Sequence, residues 1–170
     1  MSIKPSESAA GSEWRITGLG TCLGRDDAIG LALVQALSED AAWAGYCVLL
    51  ENADAATVAA SLLDWRQPVI LVDAADMNLL PGECRFFADK DAAMILKTSS
   101  VSTHGLGLAE GLELARTLGF DCAVSIFGVQ PFDLSPGQGL TPEMTERFPS
   151  LLSSLKAACS NRIHPAANAQ

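Results

Sequence analysis

The stretch PVILVDA, residues 68–74, is the most strand-like run of the chain. A proline opens it, four apolar side chains follow without interruption, and a carboxylate, Asp73, comes directly after them. An uninterrupted apolar run of this length is typical of a strand that is covered on both faces. We therefore predict a central strand here, with Asp73 at its carboxyl end, where open α/β sheets bind their ligands.

On both sides of this strand, short apolar runs alternate with segments whose apolar residues recur at helical spacing. The connection at Pro81-Gly82 is too short for a helical crossover, so the strand after it is predicted to pair antiparallel. The order βαβαββαβα predicts a single-domain three-layer α/β/α sandwich with a mixed, mostly parallel sheet of about five strands. The predicted strands are residues 15–20, 46–50, 68–74, 83–87 and 123–128, and the predicted helices are residues 27–38, 54–63, 106–118 and 142–158.

Length and composition favour one domain. The 170 residues contain no internal repeat, no low-complexity linker and no shift in composition. We predict a flexible tail over residues 1–13, one α/β domain over residues 14–160 and a second flexible tail over residues 161–170. The first residues lack the apolar segment of a secretory signal, which favours a cytoplasmic location.

Charge and hydropathy exclude several classes of function. A net charge of −9 disfavours binding to nucleic acid and to anionic membrane surfaces. The longest near-continuous apolar stretch, residues 41–50, is far shorter than the roughly 18 residues that a membrane span needs. Five cysteines without a CxxC spacing argue against a disulfide framework and against a cysteine-rich zinc site. Partners are expected among proteins and cations.

The segment GLGTCLGRDDAIG, residues 18–30, predicts a strand, a glycine loop and the start of a helix. Its glycines have the spacing GxGxxxG rather than GxGxxG, and Asp26 and Asp27 occupy the helix start that a pyrophosphate would need. Dinucleotide binding is therefore disfavoured. One aspartate is enough to cap a helix. If Asp26 is the cap, Asp27 is left to project from the first turn as a candidate functional residue.

His104 lies among hydroxyl-bearing residues and glycines, just before a predicted helix. A helix N-terminus disfavours the imidazolium, so the ring is expected to be neutral near pH 7 and able to bind a metal or accept a proton. An exposed loop histidine is the alternative. With Asp27 and Asp73 it would form a set of two carboxylates and one imidazole, which suits a divalent metal with positions open for water or a substrate group.

These motifs, taken in order, carry a resemblance to a known family. From about Ile16 to Leu155, the chain resembles the endopeptidases that mature the large subunit of nickel–iron hydrogenases. The most specific block is V-D-A-x-D-M-x-x-x-P-G-E, residues 72–83. The other matching motifs are GLG at residues 18–20, DDAIG at residues 26–30, TH at residues 103–104 and GVQP at residues 128–131.

The resemblance implies that Asp27, Asp73 and His104 are at once the catalytic and the metal-contacting residues of a peptidase. Such an enzyme removes a C-terminal extension from the hydrogenase large-subunit precursor after nickel insertion. The divalent metal would be the nickel carried by that substrate, and a metal of the enzyme's own stays an open question. The attacking water could be polarised by the nickel or activated by an aspartate alone.

Two departures from the family pattern mean that the resemblance does not fix the shape of the substrate cleft. Thr21 replaces the asparagine that usually follows G-x-G, and residues 51–54, ENAD, replace the glycines that usually follow the second strand.

A nonproteolytic chaperone that binds the precursor and a nucleotide-binding α/β module are the alternative functions.

Overall fold

The computed structural model describes residues 14–96 and 105–165, and within these ranges it contains one sheet of five strands. The strand order is β2-β1-β3-β5-β4, with every neighbouring pair parallel except β4 and β5, which are antiparallel. The prediction of a mixed, mostly parallel sheet is confirmed. The strands are β1 (Arg15–Gly20), β2 (Cys47–Glu51), β3 (Val69–Ala74), β4 (Cys84–Ala88) and β5 (Val124–Val129).

Helices cover both faces of the sheet, as the predicted three-layer sandwich requires. One apolar cluster joins α1 and α5 to one face, and a second cluster joins α2, α3 and α4 to the other face. The helices are α1 (Ile29–Ser38), α2 (Ala55–Trp65), α3 (Ala92–Ile95), α4 (Gly105–Thr117) and α5 (Pro142–Ile163). None of the helices in the described ranges is long and apolar enough to cross a membrane.

β3 is the central strand that its sequence predicts. All six of its residues are buried, and its side chains alternate between the two clusters. Val69 and Leu71 pack toward α2 and α4, whereas Ile70 and Val72 pack toward α1 and α5. Burial on both faces explains why this strand is continuously apolar rather than alternating.

Two glycines let α1 dock directly on the ends of the strands. A Cβ atom at Gly30 would lie 2.2 Å from the carbonyl oxygen of Val72 and 2.5 Å from that of Leu19. A Cβ atom at Gly18 would lie 2.6 Å from the carbonyl oxygen of Gly30. The sheet and the first turn of α1 therefore touch through their backbones, and this close approach brings the residues before α1 to the end of β3.

Several predicted bounds were wrong. α1 begins at Ile29 rather than at Asp27, because a 3-10 turn over Arg25–Ala28 precedes it. α5 runs to Ile163, beyond the predicted end at residue 158, so residues 161–163, predicted to belong to a tail, are helical. The apolar stripe of α5 continues to Ile163, which packs against the apolar cluster that joins α1 and α5 to the sheet. The turn at Asp89–Asp91 and the short α3 that follows it were not predicted.

Candidate active site

The sheet order places a crevice at the carboxyl ends of β1 and β3. From β1 the chain crosses over to β2 on one side, and β3 then returns to the other side of β1. Such a reversal of direction opens a crevice between the two strands, and open α/β sheets bind ligands there. Asp73 is the last residue but one of β3, and Asp27 lies in the turn between β1 and α1.

Asp27 is held by a tight backbone arrangement in the loop after β1. Its side chain is buried, and its Oδ2 accepts a hydrogen bond of 2.9 Å from the backbone N–H of Thr21. Gly20 has φ 141°, and a Cβ atom there would lie 1.9 Å from the carbonyl oxygen of Asp27. A Cβ atom at Gly24 would lie 3.0 Å from the Cβ of Asp27. These glycines therefore make room for Asp27, which gives the GxGxxxG spacing a role that needs no phosphate.

Asp73 interacts electrostatically with Asp27. Burial raises the pKa of Asp73 well above its ordinary value, and the negative charge of Asp27 raises it further. The backbone N–H of Ala74 donates to the carboxylate and opposes this rise in pKa. Two nearby carboxylates that repel each other favour a shared proton or a bound cation between them. The structure thus brings together two of the three predicted site residues.

A small cleft adjoins Asp73 on the side of the sheet that α2 and α4 cover. Asn52, from the loop after β2, contributes a polar wall, while Val58 and Leu108 contribute apolar walls from α2 and α4. Asn52 has φ 57°, and its backbone N–H donates to the carbonyl oxygen of Gly20 at 2.9 Å. The loop after β2, where the sequence departs from the family pattern, therefore forms part of the cleft.

Asp26 does not cap α1, so the capping interpretation of this residue was wrong. Neither the 3-10 turn nor α1 has a side-chain cap in the structure. The carboxylate of Asp26 is instead fully buried and accepts hydrogen bonds from the loop that follows β5. Its partners lie more than 100 residues away along the chain, which is why helix-start patterns could not reveal them.

Gln130 is a buried residue near the site that the sequence reasoning did not select. Its Oε1 accepts the backbone N–H of Met77 at 2.8 Å and that of Leu79 at 3.3 Å. Its Nε2 donates to Oδ1 of Asp76 at 3.3 Å. Gln130 therefore fixes the loop that leaves β3 directly after Asp73, and it also binds Asp76 of that loop. The GVQP motif was the available signal.

His104 lies outside the described residues, so its place relative to the two aspartates stays a prediction. Within residues 14–96 and 105–165, no group of three or more histidine, cysteine, aspartate or glutamate side chains could hold a metal ion.

Cys22 lies in the same loop as Asp27 and is exposed. A hydrogen bond with Glu51 raises the pKa of the Cys22 thiol, and partial burial and the charge of Glu51 raise it further. A raised pKa disfavours the thiolate that a cysteine nucleophile needs. Cys22 is therefore a poor candidate for a cysteine nucleophile.

Comparisons with known proteins show which family and which fold this chain shares. The family model of hydrogenase maturation proteases, HycI, matches residues 31–158. The hydrogenase 2 maturation protease of Escherichia coli (strain K12) is 30% identical over 145 residues, which are 84% of this chain and 88% of that protein. The solved structure of the hydrogenase maturating endopeptidase HybD from E. coli superposes with a TM-score of 0.68 at 27% identity, covering 88% of this chain and 93% of that one.

A more distant structure extends the likeness of the fold. The [NiFe] hydrogenase maturation protease HybD from Thermococcus kodakarensis superposes with a TM-score of 0.65 at 23% identity, covering 85% of this chain and 97% of that one. Together the comparisons favour the peptidase hypothesis over the chaperone and the nucleotide-binding alternatives.

Proposed function

Because the chain belongs to the hydrogenase maturation protease family, we propose that it removes the C-terminal extension of a hydrogenase large-subunit precursor in the cytoplasm. The chain is an endopeptidase, a hydrolase of peptide bonds. In the proposed reaction the extension is cut only after nickel has been inserted into the precursor. Asp27, Asp73 and His104 detect that nickel and contribute to the cleavage.

One observation carries this proposal: Asp27, in the turn between β1 and α1, lies near enough to Asp73, at the end of the neighbouring strand β3, for its negative charge to raise the pKa of Asp73. Two carboxylates that repel each other attract a divalent cation, because the cation removes the repulsion. Carboxylate oxygens and an imidazole nitrogen together suit a borderline divalent metal such as nickel. A precursor without nickel brings no cation to the pair, so it binds less well and escapes cleavage.

The raised pKa of Asp73 suits a proton-transfer role. A general acid or base works best when its pKa lies near the pH at which it operates, and burial moves the pKa of Asp73 upward from its ordinary range. In its ionised form Asp73 can accept a proton from the water molecule that attacks the scissile carbonyl, and it can then give that proton to the amine nitrogen that leaves. The nickel of the substrate can polarise the same water, and the two routes differ in whether cleavage needs nickel once the precursor is bound.

The test is cleavage of purified large-subunit precursor, prepared with and without nickel. Release of the extension is followed by a gel shift and by mass spectrometry of the freed peptide. We expect cleavage of the nickel-loaded precursor by the wild type, and a loss of about 100-fold or more with Asp73→Asn or Asp27→Asn. Asp64→Asn, at an exposed position of α2, is the matched control and retains activity.

Equal cleavage of nickel-free and nickel-loaded precursor would contradict metal sensing. Wild-type rates with Asp73→Asn would remove its carboxylate from the mechanism. A precursor that binds the protein and stays intact would favour the chaperone alternative.

A further inference from the structure

We propose that Asp26 is a positioning residue for the cleavage reaction. Its buried carboxylate fastens the loop after β1, which carries Asp27, to the loop after β5, and so holds the Asp27 carboxylate in place at the end of β3. The inference rests on the proposed function, because it concerns the position of Asp27. Asp26 itself does not contact the substrate.

The carboxylate of Asp26 is fully buried and is surrounded by donors from one loop. Its Oδ2 accepts the backbone N–H groups of Phe132 at 3.0 Å and Asp133 at 3.2 Å. Its Oδ1 accepts the backbone N–H of Thr141 at 2.8 Å, and the Thr141 hydroxyl lies 3.0 Å from both oxygens. Three backbone amides and one hydroxyl thus replace the water that the carboxylate loses on burial.

Backbone hydrogen bonds join the same two loops beside Asp26. The N–H of Asp26 donates to the carbonyl oxygen of Asp133 at 3.2 Å, and the N–H of Arg25 donates to that of Gly137 at 3.0 Å. The N–H of Gly137 in turn donates to the carbonyl oxygen of Leu23 at 2.9 Å. We call this set of contacts between residues 23–26 and residues 132–141 the clasp.

The clasp bridges the end of β3. β1 and β5 are the two neighbours of β3 in the sheet, so the clasp joins loops that leave strands on either side of β3, and the turn that carries Asp26 and Asp27 contacts β3. Asp73 lies at the carboxyl end of β3. A connection between these two loops therefore holds the backbone on both sides of Asp73 in place.

The clasp reaches Asp27 through the short loop that both aspartates share. The backbone N–H of Asp27 donates to the carbonyl oxygen of Gly24 at 3.0 Å, and its Oδ2 accepts the N–H of Thr21. Asp26 directly precedes Asp27. The side chain of Asp26 accepts hydrogen bonds from the loop after β5, whereas that of Asp27 accepts one from Thr21 in its own loop. Loss of the Asp26 contacts therefore frees the turn that carries Asp27 and leaves the carboxylate of Asp27 chemically unchanged.

The test replaces Asp26 with asparagine, which has nearly the same shape. One carboxylate oxygen becomes an NH₂ group, so the backbone N–H groups that it bonded lose their acceptor. Steady-state cleavage of the nickel-loaded precursor is measured per folded molecule, with the folded fraction determined by circular dichroism in the same buffer. We expect kcat to fall about 10- to 100-fold with KM changed less than about three-fold, because misplacement of a reacting group affects the chemical step. A purely structural role would leave kcat per folded molecule unchanged.

Amide hydrogen exchange gives a second readout that does not depend on cleavage. The N–H of Thr21 is bonded to the Asp27 carboxylate, so it reports whether that carboxylate is held. We expect the Thr21 amide to exchange at least about ten-fold faster in Asp26→Asn, while amides in the middle of α1 keep their protection. If the wild type fails to cleave any precursor, the proposed function fails, and this measurement still decides whether Asp26 positions Asp27.

Three variants control the experiment. Asp64→Asn changes an exposed aspartate of α2 that lies outside the clasp, and it should stay within about two-fold of wild type. If Asp26→Asn does not fold, Thr141→Val removes one donor to Asp26 together with the side-chain cap of α5, and Thr141→Ser restores both, so the Thr21 exchange is measured in these variants as well. We expect a lower kcat with valine and recovery with serine. Unchanged kcat together with unchanged Thr21 exchange would overturn the inference, as would an effect confined to KM.

Discussion

Replacement of Asp73 by asparagine should make the protein more stable at neutral pH while abolishing cleavage. Burial and the charge of Asp27 raise the pKa of Asp73 from the ordinary 3.8. The folded protein therefore keeps the Asp73 proton at pH values where the unfolded chain has already released it. Because the folded state binds more protons in that window, its free energy of unfolding falls as the pH rises.

The size of this effect is limited by one proton. Between the unfolded-state pKa and the raised pKa of the folded state, Asp73 lowers the free energy of unfolding by at most about 1.4 kcal/mol per pH unit. Above the folded-state pKa the loss stays constant. Asparagine cannot titrate, and its shape is close to that of the protonated aspartic acid, so the variant should lose this slope and match the wild type near pH 4.

The assay is urea unfolding of both proteins from pH 4 to pH 8, without precursor and with a chelator present. We expect the difference in free energy of unfolding, variant minus wild type, to be near zero at pH 4 and to grow with pH. The exposed Asp64→Asn variant should show no such growth. A difference that stays flat with pH, or that favours the wild type at pH 7, would refute the idea that this carboxyl is destabilised by burial and by its neighbour.

Three other predictions follow from the same structure. Gly30→Ala should lower the free energy of unfolding by about 1–3 kcal/mol or more, because the new Cβ would lie 2.2 Å from a carbonyl oxygen of β3. Gly45→Ala, where a Cβ would meet no atom within 4 Å, is the control and should leave the free energy of unfolding unchanged. Urea unfolding measures both. Asp27→Asn should lower the pKa of Asp73, measured by carboxyl NMR titration, and an unchanged value would mean that the two acids do not interact. Leu62→Ala should cost about 2–5 kcal/mol, since this side chain of α2 is fully buried; a cost below about 1 kcal/mol in thermal or urea unfolding would contradict its place in the core.

The layers of the fold and both acids that the structure describes could be selected from the sequence, Asp73 more directly than Asp27. Residues 68–74 could be predicted as a central strand because burial on both faces leaves an uninterrupted apolar run. Asp73 then stands out, since it is the one charged residue of that run and comes at its end. The strand and the acid at its end can both be recognised from residues that are adjacent in the sequence, so a local pattern is enough to predict them.

The supports of the site could not be predicted in the same way. The donors to Asp26 come from residues 132–141, and Gln130 binds a loop that lies more than 50 residues before it. Such pairings depend on how distant segments meet in the folded protein, and no local periodicity encodes them. The GxGxxxG spacing was likewise ambiguous, because glycines serve phosphate binding and close backbone approach equally well.

The end of α5 shows a smaller limit of the same kind. Polar residues after position 158 favoured an end there, yet the helix continues to Ile163 because that side chain packs against the apolar cluster that joins α1 and α5 to the sheet. Contacts with the rest of the protein outweighed local composition.

The two candidate acids lie at one edge of the sheet, Asp73 at the end of β3 and Asp27 in the turn after β1, and this placement has a practical consequence. At the opposite edge the backbone N–H of Arg15 bonds Pro68, and that of Val69 bonds Ala123, far from either acid. Substitutions around that amino-terminal edge therefore leave the hydrogen bonds of both acids in place. Thermal stability can be engineered there separately from the groups proposed to recognise the substrate.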